Sequence, residues 1–449
     1  MQMRTIINNA TVVNEGRTYK ATVVVDGQFI ADVVEDGAVE PQTGDEVIDA
    51  AGMYLLPGII DDHVHFREPG LTHKADIATE SRAAAAGGVT SYMEMPNTMP
   101  QTTTLEALED KFRLAAEKSA VNYSFFFGAT NDNVDLLQEL DKERVCGVKV
   151  FMGSSTGNML VDRVESLRRL FSTSPLLIMT HCEDTTIIEQ NIKAFKKRYK
   201  GQNDFPVRYH SRIRSAEACF ASTSLAVRLA EETGARLHVA HVSTAKELEL
   251  FGSKPLEQKR ITAEACVPHL VFSSEDYDLL DTKIKCNPAI KTTDDREALR
   301  NALTNGLIDV VATDHAPHLA EEKVGGALKA VSGMPMVQFS LVSMLQLADE
   351  GVLTVDKVVE LMSHNPARLF RIDRRGFVRK GYYADLVLVD PKAEWTATND
   401  SCLSKCGWTP MDGRRFNWKV NRTFVNGQTA YADGKAVDSV RGMELRFNA

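Results

Sequence analysis

Between Pro57 and about residue 370, short apolar runs alternate with helix-like segments, and this alternation restricts the fold more than any other feature. The apolar runs are GIIDDHVHF, VTSYMEM, VNYSFFFGAT, VCGVKVFM, PLLIMTH, RLHVAHV, RITAEAC and DVVAT. Helical candidates include TTLEALEDKFRLAAEKSA, SRIRSAEACFASTSLAVRLAEETG, which stops at Gly234, and AKELELF. About eight strand-then-helix units in series predict an α/β fold, a parallel (β/α)8 barrel of the TIM type over residues 57–370.

Both ends of the chain have a different texture. Residues 1–56 contain RTIINNATVV, YKATVVVDGQFIADVV and EVIDAAGMYLL, and residues 371–449 contain ADLVLVD, VNRTFVNGQTAY and GKAV. These Val- and Ile-rich runs, punctuated by Asn, Gly and Asp, are typical of strands. Because isolated strand edges need pairing partners, the two ends are predicted to form one discontinuous β-sandwich domain beside the barrel.

Composition excludes several classes of partner and compartment. The 449 residues carry a net charge of −9, which provides no footprint for nucleic acid or an anionic membrane surface. The N-terminus lacks the pattern of a signal peptide, and no uncharged apolar run approaches ~20 residues. Seven scattered cysteines fit a reducing compartment, and the closest pair, Cys402 and Cys406, is interpreted as structural. We therefore expect a cytoplasmic protein.

Potential metal ligands recur where predicted strands end. His63 and His65 follow the first run of the barrel, and residues two apart on a strand project to the same side. His181, His241 and Asp314 end later runs, at the edge where barrels of this type build their sites. Histidines of this kind are often core residues, but that explanation is needed four times at equivalent positions. Mixed nitrogen and oxygen ligation favours Zn²⁺.

Lys149 lies within VCGVKVFM, where a bare ammonium in the barrel interior is costly. Pairing with a carboxylate is one explanation. Addition of CO2 to the neutral amine is another, because the resulting carbamate has two oxygens able to bridge two metal ions. The second is our hypothesis, and it rests on position.

The chain resembles the dihydroorotases of the amidohydrolase superfamily, in the class I-like form with a lysine at the bridging position. The matching blocks are DDHVHFREPG, MEMPNT, GVKVFM, THCED, HVAHVSTAKELE, KCNPAIK and ATDHAPHLAEEK. The resemblance implies two zinc ions per subunit: His63, His65 and Asp314 would hold the more buried ion, His181 and His241 the second, and N6-carboxylated Lys149 would bridge them.

The resemblance also implies a reaction and a substrate pocket. Such enzymes reversibly close N-carbamoyl-L-aspartate to L-dihydroorotate with loss of water, the third step of de novo pyrimidine synthesis. Asp314 would carry the proton between water and the ring nitrogen, and Arg67 would bind the substrate carboxylate. The remaining implied contacts come from His65, Asn97, Asn287, His318 and the backbone of Ser332 and Gly333, the last two in a Gly-rich segment that would act as a lid.

Four further expectations complete the sequence interpretation. A hydantoinase, dihydropyrimidinase or allantoinase would share the metal ligands, but its substrates lack the carboxylate that Arg67 would bind. A non-catalytic, assembly-forming relative should lack several ligands, and all six are present here. By analogy with barrel relatives we expect a homodimer or higher homo-oligomer. His238, three positions before His241, is predicted to face the opposite way and to pack in the core.

Overall fold

The computed structural model describes residues 4–153 and 159–448, which form two large sheets of different construction. Residues 1–3, 154–158 and 449 fall within the predicted domains and lie outside the described residues. The first five strands, before the barrel, are β1 (Thr5–Asn14), β2 (Arg17–Asp26), β3 (Phe29–Glu35), β4 (Glu46–Asp49) and β5 (Tyr54–Pro57).

Eight parallel strands then form the barrel, one from each of the apolar runs. They are β6 (Ile59–Val64), β7 (Val89–Glu94), β8 (Asn122–Gly128), β9 (Gly147–Phe151), β10 (Ile178–His181), β11 (Leu237–Val239), β12 (Ile261–Cys266) and β13 (Val310–Ala312). Each pairs with the next in sequence order. A parallel bridge between Val64 and His315 joins the last strand region to the first and closes the barrel.

The chain returns to the first sheet after the barrel. The remaining strands are β14 (Leu386–Asp390), β15 (Trp395–Thr396), β16 (Arg415–Phe416), β17 (Lys419–Val425), β18 (Gln428–Ala432) and β19 (Lys435–Ala436). β5 pairs with β1 on one side and with β14 on the other, so the nine-stranded sheet needs both ends of the chain. The predicted fold class is confirmed, whereas the division at residues 56/57 and 370/371 stays a prediction.

Helices cover the barrel strands, and five of those named below, α1, α2, α4, α9 and α11, begin after a residue whose side chain caps them. Thr104 Oγ1, for example, accepts a hydrogen bond from the amide of Ala107 at the start of α2. The helices are α1 (Ile77–Ala86), α2 (Leu105–Lys118), α3 (Val164–Thr173), α4 (Thr185–Arg198), α5 (His210–Ile213), α6 (Ala216–Thr233), α7 (Val267–Val271), α8 (Tyr277–Leu280), α9 (Thr293–Ala302), α10 (Ser340–Asp349), α11 (Val355–Val359) and α12 (Asn365–Phe370).

Two of the three helical candidates need comment. The segment ending at Gly234 is split into α5 and α6, and Gly234 ends α6 in the left-handed conformation, with φ +72°, as expected. AKELELF was expected to be helical but forms only a single 3-10 turn, Glu247–Leu250. The buried Glu247 carboxylate accepts hydrogen bonds from the amide of Ser243 and the hydroxyl of Thr244, which ties the segment into a turn.

Apolar side chains close the end of the barrel at which the strands begin, opposite their carboxyl ends. Ile60, Met93 and Phe126 from three strands pack with Phe370 of α12 and with Phe447 near the end of the chain. Within residues 4–153 and 159–448, none of the helices combines the length and the apolar character needed to cross a bilayer.

Candidate metal centre and substrate pocket

A cavity of about 680 Å³ opens at the carboxyl ends of the barrel strands. Every position that the sequence assigned to the site lines this cavity: His63, His65, Arg67, Asn97, Lys149, His181, His241, Asn287, Asp314, His318, Ser332 and Gly333. The residues come from separate strand ends and loops, as the barrel predicts.

His63 and His65 converge on one carboxylate. Their Nε2 atoms lie 3.5 and 3.1 Å from Oδ1 of Asp314. The Nδ1 atoms face away: Nδ1 of His63 lies 2.9 Å from Oε1 of Glu264, and Nδ1 of His65 lies 2.7 Å from Oδ1 of Asn97. Because these oxygens accept, each Nδ1 carries the proton and each Nε2 presents a lone pair, as in metal sites whose histidines are oriented by an outer partner.

His181 and His241 form a second converging pair. Nδ1 of His181 lies 2.9 Å from Nε2 of His241. The other nitrogen of His181, Nε2, lies 3.0 Å from the buried carboxylate of Glu183, which is also paired with Arg214. With the proton on Nε2 of His181, its Nδ1 lone pair points at the neighbouring imidazole, where a shared cation would satisfy both nitrogens.

Three residues of the site have left-handed backbone conformations. The φ angles are 70° at Arg67, 39° at His241 and 48° at Asp314. Such angles are uncommon for residues other than glycine and often occur at functional sites. Since the strands end just before these residues, the turn of the backbone redirects their side chains into the cavity.

The protonation states of the side chains at this end of the barrel favour the binding of cations. Burial lowers the pKa of His65 to about 4, which keeps its imidazole neutral and able to bind metal. Burial alone would raise the pKa of Asp314, but the imidazoles of His63 and His65 and the nearby Lys149 hold it below its ordinary value. Glu264 is likewise ionised, because His63 outweighs burial and lowers the pKa of this carboxyl to about 2.

Lys149 stands out among these groups. The residue is 1% exposed, and its Nζ has no hydrogen-bond partner among the described residues. Burial lowers the pKa of its amine, which favours the neutral form that can react with CO2. An orphaned amine beside four converging imidazoles and a carboxylate fits a two-metal site better than it fits a core.

The far side of the cavity is cationic. Nε of Arg67 donates to the carbonyl of Pro317 at 3.0 Å, and its Nη2 lies 2.9 Å from Nε2 of His318. Lys74, which the sequence interpretation passed over, lies 3.1 Å from Nδ1 of the same imidazole. Buried cations around an otherwise empty space are suited to a carboxylate ligand.

The segment between β15 and β16 reaches this pocket through the indole of Trp408. Nε1 of Trp408 donates to the carbonyl of His318 at 2.7 Å. Trp408 lies between β15 and β16, far in sequence from the barrel strands. No local motif marks it, so its contact with the pocket is visible only in three dimensions.

The Gly-rich segment packs against the same imidazole. A side chain at Gly333, which has φ +132°, would meet Cδ2 of His318 at 2.9 Å. The Gly333 amide donates to the carbonyl of Lys285, and its carbonyl accepts from Lys323. The predicted backbone contact from Gly333 to a substrate would thus have to replace a bond within the protein, whereas Ser332 beside it lines the cavity.

Asn287 is held by a histidine that sequence reasoning set aside. Nε2 of His210 lies 3.1 Å from Oδ1 of Asn287 and 2.9 Å from the carbonyl of Cys286. His210 precedes α6 and has no neighbouring motif, so only the fold reveals its place in the cavity wall.

The expectation for His238 is wrong in its direction. Its Nε2 lies 3.3 Å from Asp62 and 3.9 Å from Glu264, the carboxylate that also binds His63 and the amide of His241. His238 is therefore inside the barrel beneath the predicted metal ligands. Strand alternation fails here because β11 ends at Val239, and His241 then turns inward through its left-handed backbone.

Comparison with known proteins agrees with this geometry. The model of the amidohydrolase family matches residues 54–430. A dihydroorotase of Halobacterium salinarum is 36% identical over 439 residues, which cover 96% of this chain and 100% of that protein. A dihydroorotase of Methanosarcina mazei is 34% identical over 422 residues, covering 91% and 90%.

Solved structures give the same fold under different names. The L-hydantoinase (dihydropyrimidinase) from Arthrobacter aurescens superposes with a TM-score of 0.92 at 26% identity, covering 98% of this chain and 99% of that one. The dihydropyrimidinase from Brevibacillus agri gives a TM-score of 0.87 at 25% identity, covering 98% and 97%.

Proposed function

This chain belongs to the amidohydrolase family, and we propose that within the family it is a dihydroorotase. The reaction is the reversible closure of N-carbamoyl-L-aspartate to L-dihydroorotate with release of water, which would serve pyrimidine synthesis. The observation that carries the proposal is the cationic pocket of Arg67 and Lys74 around His318, beside the converging imidazoles. The ring carboxylate of dihydroorotate is the group such a pocket suits.

We infer that the site takes two zinc ions. His63, His65 and Asp314 would hold one, and His181 and His241 the other, with a carbamate on Lys149 between them. The lone pairs of these imidazoles, fixed by their outer partners, and the orphaned Lys149 amine support this assignment. Bound zinc would supply a nucleophilic water at neutral pH and polarise the carbonyl that is attacked.

Asp314 is the group we assign to proton transfer. In hydrolysis, an oxygen of water bonds to the ring carbonyl carbon, the carbon–nitrogen bond breaks, and the leaving nitrogen needs a proton. Asp314 takes that proton from the water and delivers it to the nitrogen. In ring closure the same transfer runs in reverse. Its lowered pKa keeps it ionised and ready to accept the proton.

Arg67 determines which ring is accepted. A guanidinium binds a carboxylate through two parallel N–H donors, and the contact to Pro317 holds this one in place. Asn97, Asn287 and Ser332 line the cavity on other sides and complete the proposed pocket. A neutral ring such as hydantoin would leave the buried guanidinium unpaired, which weakens its binding.

Turnover of a substrate panel tests this proposal. Zinc-loaded protein should open L-dihydroorotate and close N-carbamoyl-L-aspartate with kcat/KM at least about 100-fold above that for hydantoin, dihydrouracil or allantoin. Arg67→Met should lose most of this preference. A higher kcat/KM for a neutral ring would contradict the proposal.

A hydantoinase or dihydropyrimidinase is the second candidate. The observation in its favour is the TM-score of 0.92 with an enzyme of that name at 26% identity. The same panel separates the two, because that activity does not require a ring carboxylate. The cytoplasmic location, the homo-oligomer and the lack of a nucleic acid or membrane partner remain proposals from composition and family.

A further inference from the structure

One imidazole in the cationic pocket has a cation within hydrogen-bond distance of each ring nitrogen, and the carboxylate Oε2 of Glu322 lies farther from Nδ1, at 3.5 Å. Nη2 of Arg67 lies 2.9 Å from Nε2 of His318, and Nζ of Lys74 lies 3.1 Å from Nδ1. A guanidinium and an ammonium can only donate. Burial and then the charges of Arg67 and Lys74 lower the pKa of His318 far below its ordinary value, so the ring is neutral.

A neutral imidazole cannot accept at both nitrogens, because one of them carries the proton. Either Nδ1–H is present and Arg67 is the partner of Nε2, or Nε2–H is present and Lys74 is the partner of Nδ1. The substrate-free pocket therefore holds two donors that compete for one lone pair. A carboxylate that takes over Arg67 removes this competition.

We propose that Lys74 is a positioning residue, which donates to Nδ1 of His318 and so fixes the tautomer whose Nε2–H donates to the substrate carboxylate beside Arg67. The inference rests on the proposed function, since it needs a substrate with a carboxylate. Lys74 acts through the imidazole, and the imidazole touches the substrate.

The surroundings of Lys74 hold it in this place. Its side chain is 12% exposed, and its Nζ lies 2.6 Å from Oε1 of Glu322. Burial alone would raise the pKa of Glu322, but the hydrogen bond from Lys74 lowers it, so the carboxylate stays charged. Oε2 of Glu322 accepts from the amide of Leu319 at 2.9 Å, which anchors the pair next to His318.

Steady-state kinetics of the zinc-loaded full chain tests the inference. Lys74→Met should raise KM for L-dihydroorotate and N-carbamoyl-L-aspartate about tenfold to a hundredfold, because Nε2 then presents a lone pair to the carboxylate, while kcat changes much less. Lys74→Arg keeps a donor and should recover most of the loss. Lys405→Met is the matched control: its ammonium contacts Thr72 and Asp76 near the pocket but not His318.

A double-mutant cycle separates action through His318 from direct contact. In a His318→Ala background, Lys74→Met should raise KM by no more than about twofold, since there is no tautomer left to fix. A full effect of Lys74→Met in that background would overturn the inference, and so would an unchanged KM in the single variant.

Nitrogen-15 NMR of histidine-labelled wild-type protein gives an answer that does not depend on the folding of any variant. With L-dihydroorotate bound, His318 should carry its proton on Nε2, and a proton on Nδ1 would overturn the inference. If wild-type protein neither binds nor turns over L-dihydroorotate, the proposed function fails and the inference fails with it. Normal wild-type turnover with an unaffected Lys74→Met variant overturns the inference alone.

Discussion

Two buried lysines in the same barrel have opposite surroundings. Lys111 of α2, between helix and sheet, pairs with Glu94 at 2.6 Å and donates to the carbonyl of Met95 at 3.0 Å. Lys149 of β9, inside the barrel, has no hydrogen-bond partner among the described residues. Because this fold satisfies one buried lysine and leaves the other without a hydrogen-bond partner, we infer that Lys149 has a functional and not a structural role.

The pair around Lys111 also serves the site indirectly. The second oxygen of Glu94, Oε1, accepts from the amide of Phe66 at 3.0 Å, between His65 and Arg67. The region around Lys111 is thus complete and holds the backbone of the pocket, whereas the region around Lys149 would be completed by the proposed metal ions and CO2. We therefore expect substitution of Lys111 to lower the stability of the fold, and substitution of Lys149 or its neighbours to lower turnover.

Among the substitutions proposed here, Asp314→Asn should cause the largest loss of turnover. Asparagine tolerates the left-handed backbone at this position, so the fold and much of the metal should remain while turnover falls about 10⁴-fold in both directions. Turnover and zinc content are measured on the same sample. Near wild-type turnover in a zinc-loaded variant would remove Asp314 from proton transfer.

Lys149→Ala should lower kcat by about 10³-fold or more, because the bridging ligand of the proposed metal pair is lost. Short carboxylic acids added to the variant should restore part of the activity by occupying the space of the carbamate. Intact-protein mass under native conditions should show one added CO2 in the wild type. If neither the adduct nor the rescue is seen, Lys149 is not the bridge.

Lys111→Met should destabilise the fold by about 3–5 kcal/mol, since it leaves the buried Glu94 carboxyl without its partner. Urea denaturation of the metal-free protein measures this. The double variant Lys111→Met/Glu94→Gln is the matched control and should recover part of the loss. A loss below about 1 kcal/mol, which is the range of surface ion pairs, would mean that the Lys111–Glu94 pair does not stabilise the fold as proposed.

Lys149→Met should increase the stability of the metal-free protein, whereas Lys111→Met should decrease it. It replaces an unpaired buried amine by an apolar chain of similar length, so we expect stability to rise by about 1–3 kcal/mol. The same denaturation experiment compares it with Lys111→Met. A comparable loss in both variants would mean that Lys149 is a satisfied core residue.

The pH dependence of stability gives the smallest and most specific signal. Burial lowers the pKa of Lys149 in the folded protein, whereas the unfolded chain keeps the ordinary value of 10.5. Between these two values the unfolded state binds more protons, so the stability of metal-free wild type should rise with pH, by at most about 1.4 kcal/mol per pH unit. Lys149→Met should lack this contribution, and identical slopes would argue against a lowered pKa.

The sequence was sufficient for the parts of the molecule that repeat or that lie in one segment. Each apolar run became a barrel strand, and the H-x-H pair met Asp314 as expected because strand ends share one edge. It was insufficient where a role depends on a distant partner. Lys74 and His210 gain theirs from His318 and Asn287, contacts between segments far apart in the chain.

Local geometry explains the other failures. Counting residues along β11 placed His238 on the wrong side, since alternation holds only while the backbone stays extended and His241 does not. Glu247 looked helical by composition, yet its buried carboxylate binds neighbouring amide and hydroxyl groups and ends the segment as a turn.

The hydrogen bond from Trp408 to His318 has an evolutionary consequence. The barrel holds the proposed catalytic groups, but one wall of the proposed substrate pocket is supported by a residue of the loop between β15 and β16, outside the barrel. A chimera that joins this barrel to the terminal strands of a relative can fold and still lose its grip on the carboxylate. We therefore expect recombination between relatives to keep the barrel together with the segment that carries Trp408.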